Sequence, residues 1–288
     1  MVGLPGWFNE AMESFITLIS TRGYLPGVIA LGRSLRASGT RRPLVVAVAA
    51  GIGAAVESAL KREGLQTVRL PPAIRPAGLK QSGSHHWSNT FDKLHLFGLT
   101  QFRKLVYLDS DMMVLSRIDE LFDWPHMAAV AAGRFVHPDW VRLNSGLMVI
   151  EPRAGLPGEI VATLPTALRE ASQDGDRIVG DQDLINAYYP EWPASRLQLD
   201  EGYNMLHPLV DHYIASGRYT LDAHAVDPGR SRLIKVIHFI GSAKPWSLRG
   251  MLRHAMARCR GEVLPMQRRT FEMYRRLLRS SAGTFAPA

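Results

Sequence analysis

Apolar residues fall along this chain in two rhythms. "SFITLI" (14–19), "PLVVAVA" (43–49) and "TVRL" (67–70) are short β-prone runs, and each predicts a strand. Between them, "LPGVIALGRSLRAS" (25–38) carries Val28, Ile29, Leu31 and Leu35 at helical spacing, and "SGT" ends it. "GAAVESALKREG" (53–64) predicts a second helix closed by Gly64. Buried strands alternating with helices signal a mostly parallel sheet covered on both faces, an α/β fold. A Pro-, Gly- and Ser-rich loop spans 71–89. Beyond it the pattern predicts a helix over 90–102, a strand "KLVYL" (104–108), and two more strands, "MAAVAA" (127–132) and "GLMVIEP" (146–152). Helices follow over 156–172 and 181–189, then a late strand "RLIKVIHFIG" (232–241) that feeds the loop "SAKPW" (242–246). There is no internal repeat and no low-complexity tract.

The 288 residues, 46% hydrophobic and 21% charged, suit one large α/β domain with an appendage. One cysteine, Cys259, excludes an intrachain disulfide and favours a reducing compartment. The N-terminus lacks the basic and apolar regions of a signal peptide. The longest uncharged apolar run, Leu44 to Val56, has 13 residues and is too short to span a bilayer. A cytoplasmic location is therefore expected. The net charge of +8 is uneven: from Arg249 onward nine arginines, no lysine and two glutamates leave +7, against +1 for residues 1–248. A nearly neutral body argues against a nucleic-acid-binding face and assigns any attraction to an acidic partner to residues 249–288. In that tail Phe271, Tyr274 and Leu278 recur at helical spacing among arginines. Such a basic helix either docks with a solvated face or attaches the protein to the inner, anionic face of a membrane.

The strand "KLVYL" runs into Asp109-Ser110-Asp111. Ligands of open α/β sheets bind at the carboxyl ends of strands, where this pair stands. On an extended chain, residues two apart point to one side, so the two carboxylates would repel there. A divalent cation ligated by both removes the conflict; solvated aspartates in a turn are the plainer alternative. Two enzyme classes place such a pair after a strand. A haloacid-dehalogenase-like phosphohydrolase wants Gly-Thr after it and a later acid four residues beyond Gly-Asp. Here Met112-Met113 follow, and position 185 is isoleucine. The second class is the nucleotide-sugar transferase of the GT-A type.

Five blocks in order carry a specific resemblance: "DKLHLF" (92–97), "LVYLDSDMMVLSRIDELF" (105–122), "LNSGLMVIEP" (143–152), "GDQDLIN" (180–186) and "VIHFIGSAKPW" (236–246). Together they resemble glycosyltransferase family 8, the glycogenin and lipopolysaccharide galactosyltransferase group. The resemblance implies a GT-A fold over residues 1–248 and retaining transfer of a hexose from a UDP-sugar, UDP-glucose or UDP-galactose, to an acceptor hydroxyl. It implies that Asp109, Asp111 and His238 hold a metal. Two carboxylates, an imidazole and phosphate oxygens suit Mn²⁺, with Mg²⁺ as the alternative. It further implies that Leu18, Ser20, Thr21 and Tyr24 meet the uridine base and that Ser110 meets ribose through its backbone. Lys93, Asn144, Ser145, Asp181 and Gln182 would lie near the donor sugar. Gly241 would allow close approach of the backbone to phosphate, and Lys244 would face the diphosphate leaving group. Asp181 and Gln182 are the candidates for a nucleophile if retention proceeds by double displacement; same-face substitution fits equally. The family often carries an arginine about nine residues before the lysine. Here "SGSHHWSN" has none, leaving His85, His86 and Trp87 for that role. A nucleotide-sugar-binding protein without activity is the remaining alternative.

Overall fold

The structure is a computed structural model that describes residues 12–76, 87–175 and 177–280, with the backbone alone for 87–90. The first half builds strands β1 (Met12–Ile19), β2 (Leu44–Val48), β3 (Gln66–Arg69) and β4 (Phe102–Leu108), with helices α1 (Leu25–Ala37) and α2 (Ala54–Arg62) between them. After β4 come β5 (Met112–Val114), β6 (Ala129–Val130), β7 (Asn144–Ile150), α3 (Leu156–Val161), α4 (Leu164–Gln173) and α5 (Asp181–Tyr188). The last third holds β8 (Met205–Leu206), α6 (Val210–Ala215), β9 (Tyr219–Thr220), β10 (Arg232–Leu233), β11 (Val236–His238), α7 (Leu248–Cys259) and α8 (Pro265–Arg279).

The main sheet has the order β3-β2-β1-β4-β7-β6. Its first four strands are parallel, and β7 turns antiparallel to β4 and to β6. Its strands are apolar throughout because both faces are covered. Phe15, Val46, Val106 and Leu147 point into one core cluster, and Ile16, Val45, Leu105 and Met148 into the other. That is the period-two alternation of a pleated strand read twice over. A second sheet, β5-β11-β8, lies beside it, with β11 antiparallel to β5 and parallel to β8.

The structure corrects four expectations. The expected helix over 90–102 is a 3₁₀ run, Trp87–Gly98, whose apolar residues Phe91, Leu94 and Phe97 are buried. Residues 156–172 form two helices because Pro165, in the first turn of α4, cannot continue the ladder from α3. Of "MAAVAA" only Ala129–Val130 is a strand. The late strand breaks between Leu233 and Val236, and its pieces join different sheets.

Helix α8 is docked on the body. Thr270, Tyr274 and Leu277 are fully buried, and Tyr274 stacks on Trp246 with ring centroids 5.9 Å apart. The carboxylate of Asp211 accepts from the backbone N–H groups of Met266 (2.8 Å) and Gln267 (2.9 Å), closing its N-terminus. At the other end Arg33 donates to the carbonyls of Leu278 (3.0 Å) and Ser280 (2.6 Å). The expected apolar face of the tail helix is thus turned inward, because Tyr274 and Leu277 fill the cluster that also holds Ile237 and Phe239.

His207 joins this helix to the body. Its Nε2–H donates to the Gln267 carbonyl at 3.0 Å, and its ring stacks on Phe239. Burial lowers its pKa to about 4. The neutral ring is the folded form, so between the unfolded value near 6.5 and about 4 the unfolded chain binds the extra proton. Stability should therefore be intact above about pH 6.5 and fall as pH drops toward 4, by the uptake of one proton. Denaturant titrations across that range should show the slope, and His207→Gln should lessen it by that one proton, while His126 and His254, also lowered by burial, keep their own share; an unchanged slope would refute the assignment.

Candidate active site

The aspartate pair is a turn rather than an extended segment. Met112 N–H donates to the Asp109 carbonyl at 3.1 Å, so the chain folds back after β4 and enters β5. The carboxylates converge because that turn is pinned on every side. The N–H of Asp109 donates to the carbonyl of Gly146 in β7 (2.8 Å), and the carbonyl of Asp111 accepts from Phe239 N–H beyond β11 (3.0 Å). The Ser110 carbonyl is turned toward Gly27 in α1, where a Cβ would lie only 2.5 Å from it.

His238 ends β11 and meets this turn from the second sheet. Its Nε2 is 3.2 Å from Asp111 Oδ1 and 3.7 Å from Asp109 Oδ2. One ligand atom from each of Asp109, Asp111 and His238 lies within 4.8 Å of the others. Two carboxylates and an imidazole fit an oxygen-preferring divalent cation.

Two buried lysines hold the acids. Lys93 pairs with Asp181 (2.8 Å) and Asp109 (3.2 Å) and donates to the Ser145 hydroxyl (3.1 Å). Its ammonium also lies 4.9 Å from the centre of the Tyr107 ring, and the Tyr107 hydroxyl donates to Asp109. Lys244 pairs with Asp111 and donates to the Phe239 carbonyl at 2.8 Å. Burial alone would lower the pKa of Lys93, but Asp109 and Asp181 outweigh it and hold the ammonium above the ordinary lysine value. Burial likewise raises Asp111, and His238 and Lys244 outweigh it, keeping this carboxyl well below the usual range. Asp109 moves up, through burial first and then Asp111 against the opposing charge of Lys93.

The block at the start of α5 is locked onto β7. The Ser145 hydroxyl donates to Asp181 Oδ2 (2.9 Å), and Ser145 N–H donates to Gln182 Oε1 (3.0 Å). Asp183 Oδ2 accepts from Gly180 N–H (2.8 Å), capping the helix. Asn186 exchanges two hydrogen bonds with the backbone of Leu143, at 3.1 and 2.9 Å.

The residues expected near the base divide. Ser20 and Thr21 line a cleft of about 360 Å³ with Gly51, Ile52 and Val56, at the carboxyl ends of β1 and β2. Leu18 is buried in β1 and faces the core, where it contributes packing. Tyr24 stands edge-on to Trp246 at 5.6 Å, on the Lys244 side. Burial, then Asp111 and Asp109, push its phenol up to about 12. Gly241 has φ +84° with open space around it, so glycine is needed there for the backbone conformation. His85 and His86 lie outside the described residues, as does the side chain of Trp87. Sequence reasoning missed Tyr107, Asn186 and Asn204. Tyr107 sits two residues before Asp109, a spacing that puts both on one side of β4 and was available as a signal.

Residues 15–249 match the model of glycosyl transferase family 8. The chain belongs to this family. Among its relatives, glycogenin-1 of Oryctolagus cuniculus is 30% identical over 240 residues, covering 82% of this chain and 66% of that protein. Glycogenin of Neurospora crassa is 33% identical over 246 residues, covering 83% of this chain and 32% of its own length. The chain thus spans between one third and two thirds of these relatives. The galactosyltransferase LgtC, solved with donor and acceptor sugar analogues, superimposes with a TM-score of 0.62 at 18% identity, covering 94% of this chain and 97% of that one. The family 8 chain therefore has the GT-A fold, and its aspartate turn, β11 histidine and α5 acid come together at one edge of the sheets.

Proposed function

We propose that this family 8 chain is a cation-dependent, retaining hexosyltransferase that uses UDP-glucose or UDP-galactose and an acceptor hydroxyl. The observation that carries the reading is the meeting of Asp109, Asp111 and His238 from two sheets beside the cleft at Ser20 and Thr21. The family assignment displaces the phosphohydrolase alternative, and the intact acid, lysine and histidine set speaks against an inactive binder. Residues 1–248 are read as the catalytic unit, with the packed C-terminal helices as its extension.

Asp109, Asp111 and His238 would hold Mn²⁺ or Mg²⁺, whose charge stabilises the departing diphosphate. Ser20, Thr21 and the adjoining glycine turn would receive the base. Tyr24 and Ser110 border the path from base to diphosphate. Lys244, held by Asp111 and the Phe239 carbonyl, would stabilise the leaving phosphate as negative charge develops there. Asp181 and Gln182 face the sugar side. The Asp181 carboxylate is ion-paired to Lys93, and Gln182 Oε1 is occupied by Ser145 N–H. Gln182 is thus a poor nucleophile, and the charge of Asp181 is partly neutralised at Oδ2, where Lys93 and the Ser145 hydroxyl both meet it. That supports same-face substitution, with the leaving phosphate taking the acceptor proton, and an α-linked product.

Calorimetry tests the reading. UDP should bind with Mn²⁺ present and weaken strongly with EDTA, and Asp111→Asn should lower the Mn²⁺-dependent affinity by at least the roughly 10–100-fold that loss of an outer-shell partner costs. Equal affinity with Mn²⁺ and with EDTA would overturn it.

The membrane reading moves from α8 to α7. Leu248, Leu252 and Met256, one turn apart, are 69%, 55% and 55% exposed, with Arg249, Arg253 and Arg260 beside them. Among the described residues no helix is long and apolar enough to cross a membrane. An exposed apolar stripe flanked by arginines suits the surface of an anionic bilayer, where each basic residue contributes about 1 kcal/mol. Leu252→Glu with Met256→Glu should abolish co-sedimentation with phosphatidylserine vesicles while UDP binding stays intact. Undiminished vesicle binding by this variant would refute the assignment to α7.

A further inference from the structure

Asn204 belongs to none of the five sequence blocks, yet it is fully buried between two residues of the site. It precedes β8, the strand that pairs in parallel with β11 and so lies beside His238. Its Oδ1 is 2.9 Å from His238 Nδ1, and its Nδ2 donates to Asn144 Oδ1 at 2.8 Å. Asn144 Oδ1 also accepts from the backbone N–H of Gly146 at 3.0 Å.

The direction of this chain of bonds is fixed from one end. A backbone N–H is always a donor, so the Asn144 atom facing Gly146 is the oxygen. An amide oxygen only accepts, so the Asn204 atom facing it is the NH₂ group. The other Asn204 atom is then the oxygen, and the His238 nitrogen against it must carry hydrogen. A neutral imidazole with hydrogen on Nδ1 has its lone pair on Nε2. Nε2 is the atom that faces Asp109 and Asp111. The same logic turns the amide of Asn144. With Oδ1 accepting twice, only its Nδ2 remains, and this atom has no partner among the described residues.

We infer that Asn204 is a positioning residue: anchored through Asn144 to the Gly146 amide, it holds His238 in the tautomer whose free lone pair faces the two aspartates. The inference deepens the proposed cation site and rests on that reading. It also gives Asn144 a defined chemistry: it offers N–H donors, so its donor-side partner is an oxygen acceptor of the phosphate or sugar.

The test combines ring ¹⁵N spectra of the metal-free full chain at alkaline pH with Mn²⁺ titrations followed by the EPR signal of the free ion. His238→Gln identifies the His238 resonance among the ten histidines. The wild type should show hydrogen on Nδ1. Asn204→Leu should mix the tautomers and weaken Mn²⁺ binding by roughly 10–100-fold. Asn144→Ala leaves Asn204 in place but removes its anchor, and should also mix them; it carries the test if Asn204→Leu does not fold. Hydrogen on Nε2 in the wild type, or unchanged spectra and affinity in Asn144→Ala and Asn204→Leu, would overturn the inference. If the wild type shows Nδ1–H but fails to bind Mn²⁺, the relay stands and the cation reading falls.

Discussion

Lys93→Met is expected to lower the stability of the metal-free protein by about 3–5 kcal/mol, the cost of removing one member of a buried ion pair. Lys93 is 6% exposed and serves two carboxylates at once, Asp109 and Asp181. Methionine fills similar space but leaves both acids facing each other without a cation. The thermal midpoint should drop on the order of 10 °C in a chain of this size. Mn²⁺ should recover part of that loss, since a cation at Asp109 and Asp111 replaces some of the missing charge. Asp181→Asn combined with Lys93→Met should be milder than Lys93→Met alone. Differential scanning calorimetry with and without Mn²⁺ checks both statements. A midpoint within about 2 °C of wild type, or no gain from Mn²⁺, would mean that the lysine is dispensable to the acids.

Gly146→Ala is expected to disable the proposed cation site while leaving the fold intact. The new Cβ would lie 2.7 Å from His238 Cε1, 2.9 Å from Asn144 Oδ1 and 2.9 Å from Met112 Cε. The methionine tip can move aside, but the imidazole and the amide are each held by hydrogen bonds. Pushing the ring off its place separates Nε2 from the carboxylates, and Mn²⁺ affinity should fall by roughly 100-fold or more, beyond the usual outer-shell effect. Gly158→Ala is the control, because a Cβ there meets nothing within 4 Å and the position lies inside α3. Circular dichroism and Mn²⁺ titration of both variants read the outcome. A Gly146→Ala protein that binds Mn²⁺ like wild type would show that the ring has more room than its contacts indicate.

The half of the fold built from β1, β2, β4, α1 and α2 was legible because its strands are apolar on both faces and its helices carry regular spacing. The second sheet was not. Its strands are two or three residues long, too short to show a period, and their partners lie far along the chain. "TFDKLHLF" has helical spacing, but its buried residues settle into a tighter 3₁₀ run. The aspartate pair, His238 and Asp181 sit at the ends of recognisable elements, whereas Lys93, inside the 3₁₀ run, and Lys244, in the loop after β11, could be named only from the family resemblance of their blocks. Asn204 could not: it stands 60 residues from Asn144 and 34 from His238, and only folding makes them neighbours. The inward face of α8 was equally hidden, because Arg33 and Asp211, which hold its ends, come from distant helices.

The docking of α8 sets a boundary on how this helix and the proposed donor site can behave. Tyr274 supports Trp246 and Phe239 from below, and Arg275 donates to the Pro245 carbonyl at 3.3 Å. The segment 239–246 is therefore shared property: its upper side carries Lys244 toward the acids, and its lower side is the seat of the helix. Linkage between two events on one segment is reciprocal. Whatever free energy an occupied donor site spends in ordering this segment returns as slower opening of α8, visible as protection of its amide hydrogens from exchange. By the same equality, a chain clipped within α8 would read at the bench as a weak nucleotide binder, although every proposed ligand of the donor lies upstream of the cut.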